Sequence, residues 1–217
     1  MIGVLDRTSA IGERLRHVYW IGGGSAAGKS TVARRTAEQH GLRLYPTDDV
    51  MSDHASQTTP EDGPLLSRFM AMDMDERWVN RSPQTMLETF HWFLGEGFDL
   101  IVEDLLHLPR EPGVIVEGFR LLPHLVKPLL AESSHAMWLL PTPEFRLAAS
   151  RSRGAGWGFL QKTSDPDRAL HNLLERDRMF TDRLGEETRR LELPFIEVDT
   201  TMTEDELAGR VAEAFRF

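Results

Sequence analysis

The chain has no cysteine among its 217 residues, which excludes disulfides and thiolate metal sites. It is short of positive charge. Lys and Arg number 25 against 34 Asp and Glu, for a formal net charge of -9, which argues against broad non-specific binding to nucleic acid. No stretch reaches the roughly 18 apolar residues of a membrane span. The opening MIGVLDRTSAIGERLRHVYWIGG holds no apolar core of signal-peptide length, so no membrane association and a cytoplasmic location are expected. Internal repeats and low-complexity linkers are also missing. What remains is ordinary: 41% hydrophobic and 27% charged residues, as in a soluble globular protein. The length suits one domain, residues 1-217, with a core of its own.

Against that background one stretch stands out. GGGSAAGKST, Gly22 to Thr31, puts four glycines and two alanines on ten positions, followed by a lysine and two hydroxyls. Glycine loses the most backbone entropy on folding, so a cluster of it signals a close approach to the main chain. The residues before it, HVYWI (His17 to Ile21), are β-branched and aromatic and read as a buried strand. From Ser30 to His40, Val32, Ala33, Thr36 and Ala37 recur at helical spacing, and Gly41 stands where a helix would stop.

Strand, tight loop and helix, with Gly23, four residues, then Gly28-Lys29-Ser30, fit the phosphate-binding P-loop. Small residues from Gly23 through Gly24, Ser25, Ala26 and Ala27 let successive N–H groups point into one concavity. The helix that follows offers its positive end to the same anion. Lys29 supplies a charge for the β- and γ-phosphates, and Ser30 an oxygen for Mg²⁺. Thr31 completes the loop.

The rest of the chain alternates short apolar runs with helical patterns. LRLYP (42–46), GVIVEG (113–118), AMWLL (136–140) and PFIEV (194–198) are further strands. FDLIVEDLLHLP is ambiguous, but Phe98, Ile101, Leu105 and Leu108 recur every three or four residues and favour a helix. Ser82-Pro83 opens another, with Met86, Leu87, Phe90, Phe93 and Leu94 as its apolar face. Thr203 and Glu206 form a capping box for the last helix. Strands separated by helices indicate an α/β fold with a mostly parallel sheet.

Asp48 and Asp49 follow the second strand. A carboxylate there stands at the carboxyl edge of a parallel sheet, where open α/β folds bind ligands, and can accept a proton from an attacking hydroxyl. Aspartate is equally favoured as a helix N-cap. Glu117 ends the strand VIVEG and would hold a metal-bound water or bond the substrate, or is simply a polar strand end at a turn made tight by Gly118. Arg120, close behind in EGFR, is a contact for an anionic or polar substrate, or a surface ion pair. Arg77, Trp78 and Arg81 are acceptor-site candidates within the region of about 50–82, or simply a helix face with a buried tryptophan. His91, His107, His124, His135 and His171 lack metal-site spacing and are read as structural or surface residues.

Arg146, Arg151 and Arg153 lead into a segment with Gly154, Gly156 and Gly158. A glycine-hinged lid carrying arginines, at about 151–165, would exclude water and stabilise transferring charge. Trp157 and Phe159 then pack on substrate or anchor the closed lid.

From Tyr19 onward the chain resembles the P-loop small-molecule and nucleotide kinases: shikimate kinase, gluconate kinase, the nucleoside monophosphate kinases and chloramphenicol phosphotransferase. The matching pieces are Gly23 to Thr31, Asp48, VIVEG and PEFRLAASRSRG. The resemblance implies a three-layer fold with about five parallel strands in the order 2-3-1-4-5. It also implies ATP and Mg²⁺ as cofactors and a lid arginine, Arg151 or Arg153, that reaches the phosphates. The loop Asp199 to Thr201, with Thr200 at its centre, would lie beside the adenine. Asp53 to Arg81 matches no substrate region of those enzymes. The expected partner is a small-molecule acceptor, a hydroxylated metabolite, antibiotic or nucleotide, and the protein is a monomer or homodimer. The alternative is a P-loop ATPase or switch acting on a protein partner. It is weakened by the lack of an Asn-Lys-x-Asp motif for base reading.

Overall fold

The computed structural model describes residues 10–152 and 158–217. Strand β1 (Val18–Gly23) runs into the glycine loop and α1 (Lys29–His40), followed by β2 (Arg43–Pro46). Then come α2 (Met51–Gln57), α3 (Pro64–Ala71), α4 (Met74–Trp78), α5 (Pro83–Thr89), a 3-10 turn at His91–Leu94, and α6 (Phe98–His107). The remaining elements are β3 (Val114–Glu117), α7 (Pro123–Val126), β4 (Ala136–Pro141), α8 (Pro143–Ser152), α9 (Pro166–Arg190), β5 (Phe195–Val198) and α10 (Glu204–Phe215). No helix among the described residues is long and apolar enough to cross a membrane.

The five strands form one parallel sheet in the order β2-β3-β1-β4-β5. The glycine-loop strand is therefore central, as the resemblance implies. Side chains alternate faces along a strand. Val18, Trp20, Val114, Val116, Ala136 and Trp138 point into one apolar cluster, with Phe98, Ile101 and Leu105 of α6. Ile21, Ile115, Met137 and Leu139 point into the other, beneath Val32 and Ala37 of α1 and Leu207, Val211 and Phe215 of α10. Helices on both faces make three layers. Each fully buried side chain of this size contributes about 1.5–3 kcal/mol.

Local signals account for most element ends. Gly41 adopts φ 63° and donates its N–H to Ala37 O. Thr203 and Glu206 form the expected capping box. The ambiguous stretch is a helix, with Phe98, Ile101 and Leu105 buried. One expectation needs correction. The helix begun at Ser82 stops at Thr89, because Phe90 turns extended at φ −79°, ψ 108°. His91–Leu94 then form a 3-10 turn, so Leu94 leaves the apolar face and is 42% exposed.

The region 50–82, expected to hold the acceptor, is a run of short helices. It is joined to the body through α9, where Asn172 donates to Trp78 O at 3.0 Å and Val79 O at 3.2 Å. In the expected lid segment, Leu160 is buried with Trp78 and Val79, and Phe159 meets Trp78 at 5.3 Å between ring centroids. Residues 158–165 are thus anchored to the helical region. Arg151 stands in the last turn of α8. Arg153, Gly154, Gly156 and Trp157 lie outside the described residues.

Candidate phosphate-binding site

The glycine loop closes over the carboxyl end of the sheet. Gly28 caps α1 at φ 79°, a left-handed conformation that only glycine adopts without strain. Ala26 is held at φ 63°, a conformation that costs an L-residue energy and recurs at ligand sites. Lys29 folds back over the loop, its Nζ donating to Gly24 O at 2.8 Å. Ser25, Ala26, Ala27, Gly28, Lys29, Ser30 and Thr31 line a cleft of 130 Å³ with Asp48, Glu117 and Phe119. Gly23 and Gly24 lie behind it, where Gly24 N donates to Leu139 O at 3.1 Å.

Strand register brings the two carboxylates to this cleft. Glu117 pairs with Ile21 of β1 and with Pro46 of β2, so Asp48 follows two residues beyond the position level with it. Thr47 N donates to Glu117 O at 2.8 Å, and Gly118 N to Ile21 O at 3.1 Å. A Cβ on Gly118, which sits at φ 153°, would lie 1.8 Å from Thr47 Oγ1. The absent side chain is what lets the ends of β2 and β3 close. Asp48 is not a helix cap: Val50 is the N-cap of α2, without a side-chain bond.

Glu117 is only 3% exposed. Burial pushes its carboxyl above the usual carboxylate range. Lys29 and a hydrogen bond with Ser30 pull it down, and Asp48 and Asp49 push it up again. A carboxyl whose folded value is raised contributes stability while protonated and loses it as pH rises through that value. Glu117→Gln is therefore expected to melt higher than wild type at neutral pH without nucleotide. In a chain of this size the gain is about 2–4 °C for each kcal/mol relieved. The gain should vanish below the ordinary carboxylate range, where both proteins carry no charge there. Thermal melts at neutral and acid pH check this; an equal or lower Tm at neutral pH contradicts it.

Arg120 is a buried cation, 2% exposed. Burial lowers its pKa to about 10, opposed by Tyr45, Asp48 and Asp104, so it remains charged at neutral pH. It donates to His54 Nδ1 at 3.1 Å and Gly97 O at 2.9 Å, and lies 5.3 Å from the Trp92 ring centre. It is no surface ion pair.

Arg77 and Arg81 are placed differently from the acceptor-site expectation. Arg77 donates to Phe69 O and Met70 O, both at 3.0 Å, at the end of α3. Arg81 donates to Glu76 O at 3.0 Å, Arg77 O at 3.2 Å and Thr89 Oγ1 at 2.9 Å. Their guanidinium groups satisfy helix-end carbonyls, a favourable place for cations, and neither residue lines the cleft.

Across the loop, α8 and α9 frame an apolar-walled hollow of 350 Å³ that includes Ser25, Ala26, Arg146, Leu147, Leu174 and Asp177. Thr200 is exposed in the turn after β5, where Asp199 Oδ1 accepts from Thr201 N at 2.8 Å and from its hydroxyl at 2.6 Å. Of the histidines, His91 is buried among Phe69, Phe90 and Trp92. Burial, with Arg120 and Arg176 nearby, lowers its pKa to about 3. The sequence reading missed Phe119 in the cleft wall and the pair His54 and Asp104 behind Arg120. Phe119 lies between two residues that it did single out. His54 and Asp104 carry no motif.

No family model matches the chain, and no curated protein matches it. Among solved structures, 47 chains match. One is the deoxyadenosine kinase from M. mycoides with bound dATP. It is 10% identical, covering 92% of this chain and 100% of that one, with a TM-score of 0.49.

Proposed function

We propose that this protein is an ATP-dependent kinase that transfers the γ-phosphate to a hydroxyl or phosphate of a small-molecule acceptor. One observation carries the reading: a P-loop cleft that also holds Asp48 and Glu117, with the buried cation Arg120 directly after Phe119 of the cleft wall. A phosphate-binding loop alone accounts for nucleotide binding. Carboxylates converging on it add groups for a nucleophile.

The roles follow from the chemistry. The N–H groups of Ser25 to Thr31 and the positive end of α1 hold the phosphates. Lys29 swings from Gly24 O to the β- and γ-oxygens. Ser30 and Glu117, a hydroxyl and a carboxylate bonded to each other, are hard oxygen donors suited to Mg²⁺. When bound, the ion neutralises phosphate charge. Asp48 orients the acceptor hydroxyl and takes its proton. Arg120 faces the polar or anionic part of the acceptor. Arg151 and Arg153, at the end of α8 and just beyond it, cover the phosphates and exclude water. Thr200 borders the nucleobase.

The test is ADP release from ATP and Mg²⁺, with and without a panel of nucleosides, nucleotides, sugars and hydroxylated antibiotics. Strong stimulation by one class is expected. Release that no acceptor changes, but that a protein partner accelerates, overturns the kinase reading in favour of a switch.

A further inference from the structure

Arg120 is held by a chain of hydrogen bonds whose direction chemistry dictates. A guanidinium only donates, so His54 Nδ1, at 3.1 Å from Arg120 Nη1, must accept. The neutral ring then carries its proton on Nε2. That nitrogen lies 3.0 Å from Asp104 Oδ2, which can only accept while ionised. The Tyr45 hydroxyl donates to the same carboxylate oxygen. The chain therefore runs from Tyr45 to Asp104, from His54 to Asp104, and from Arg120 to His54. It joins β2, α2, α6 and the loop after β3. His54 is 3% exposed, so water does not compete for either ring nitrogen.

Resting on the kinase reading, we infer that His54 and Asp104 are positioning residues, holding Arg120 in one orientation next to the Phe119 wall of the cleft to receive the acceptor. A guanidinium with five donors on a long side chain has many rotamers. Here Gly97 O takes one Nη at 2.9 Å and His54 takes the other, and Trp92 lies 5.3 Å from the guanidinium carbon. Asp104 acts through the ring: by accepting from Nε2 it keeps the lone pair on Nδ1, facing Arg120. Arg120 directly follows Phe119, which lines the phosphate cleft together with Asp48 and Glu117. Arg120 thus couples this relay to the phosphate cleft.

Three variants separate positioning from simple structural support. His54→Asn sets an amide oxygen near the place of Nδ1 and keeps the bond to Arg120. His54→Gln reaches the place of Nε2 and keeps the bond to Asp104. His54→Leu keeps neither. Misplacing a binding group by about 1 Å costs roughly 10²-fold in rate. His54→Leu and His54→Gln are accordingly expected to lose about 10²-fold in acceptor-dependent kcat/KM, with the ATP Kd within about twofold of wild type. His54→Asn should recover most of the loss. If His54→Leu fails to fold, the Asn and Gln pair decides. A second readout needs no turnover: nitrogen NMR of the histidines should find His54 protonated at Nε2 and bare at Nδ1 in the wild-type protein. Equal acceptor kinetics in wild type, Gln and Leu variants, or a proton on Nδ1, overturns the positioning role while leaving the kinase reading in place. A wild-type chain stimulated by no acceptor overturns the kinase reading, and the positioning role falls with it.

Discussion

Lys29→Ala is expected to lose phosphate transfer by about a hundredfold or more, the usual cost of removing a preorganised electrostatic donor, while the protein stays folded. In the resting structure Lys29 Nζ bonds Gly24 O at 2.8 Å, and its charge draws the neighbouring Glu117 carboxyl downward. Alanine is the strongest helix former, and position 29 is the first residue of α1, so the backbone is not asked to change. The variant loses the cation proposed to meet the γ-phosphate, and the Glu117 carboxyl moves further up. Circular dichroism melts and acceptor-stimulated ADP release measure the two consequences separately. A folded variant with near-normal turnover takes the glycine loop out of the mechanism.

Asp48→Asn is the second large effect. The side chain keeps its shape and loses its charge, and kcat is expected to fall by about 10²–10⁴-fold, the range contributed by a positioned acid or base. The ATP affinity should hardly change, because Lys29 and the loop amides remain. The capping alternative no longer competes, since Val50 caps α2 and Asp48 lines the phosphate cleft. Stopped turnover with unchanged nucleotide binding supports the acceptor-side role. If ATP and Mg²⁺ affinity collapses instead, Asp48 belongs to the metal shell and Glu117 becomes the base.

Most of what near neighbours set was legible in the sequence; the break at Phe90 and the carbonyl partners of Arg77 and Arg81 were not. The glycine loop, the strand before it and the helix behind it are local in chain order, and their residue types have local causes. All five strands fall within two residues of their expected bounds, because period and turn residues mark them. Asp48 and Glu117 were also within reach of that reading. Glu117 ends a strand and Asp48 stands two residues after one, and a parallel sheet brings such ends to one edge.

Tertiary structure alone decided which groups answer Arg120. Arg120 meets His54 across 66 positions of sequence, and His54 meets Asp104 across 50; no spacing rule spans those gaps. Arg77 and Arg81 carry the same side chain as Arg120, in a region suited to acceptor binding. Yet their donors are taken by helix-end carbonyls a few residues away. The sequence determined which chemical groups the protein carries and which of them the sheet brings to its edge. Packing of α2 against α6 through the His54–Asp104 pair determined which guanidinium is buried next to Phe119 in the cleft wall. A side chain's partner depends on the distance left after every other element has packed, and that distance is not encoded at its own position.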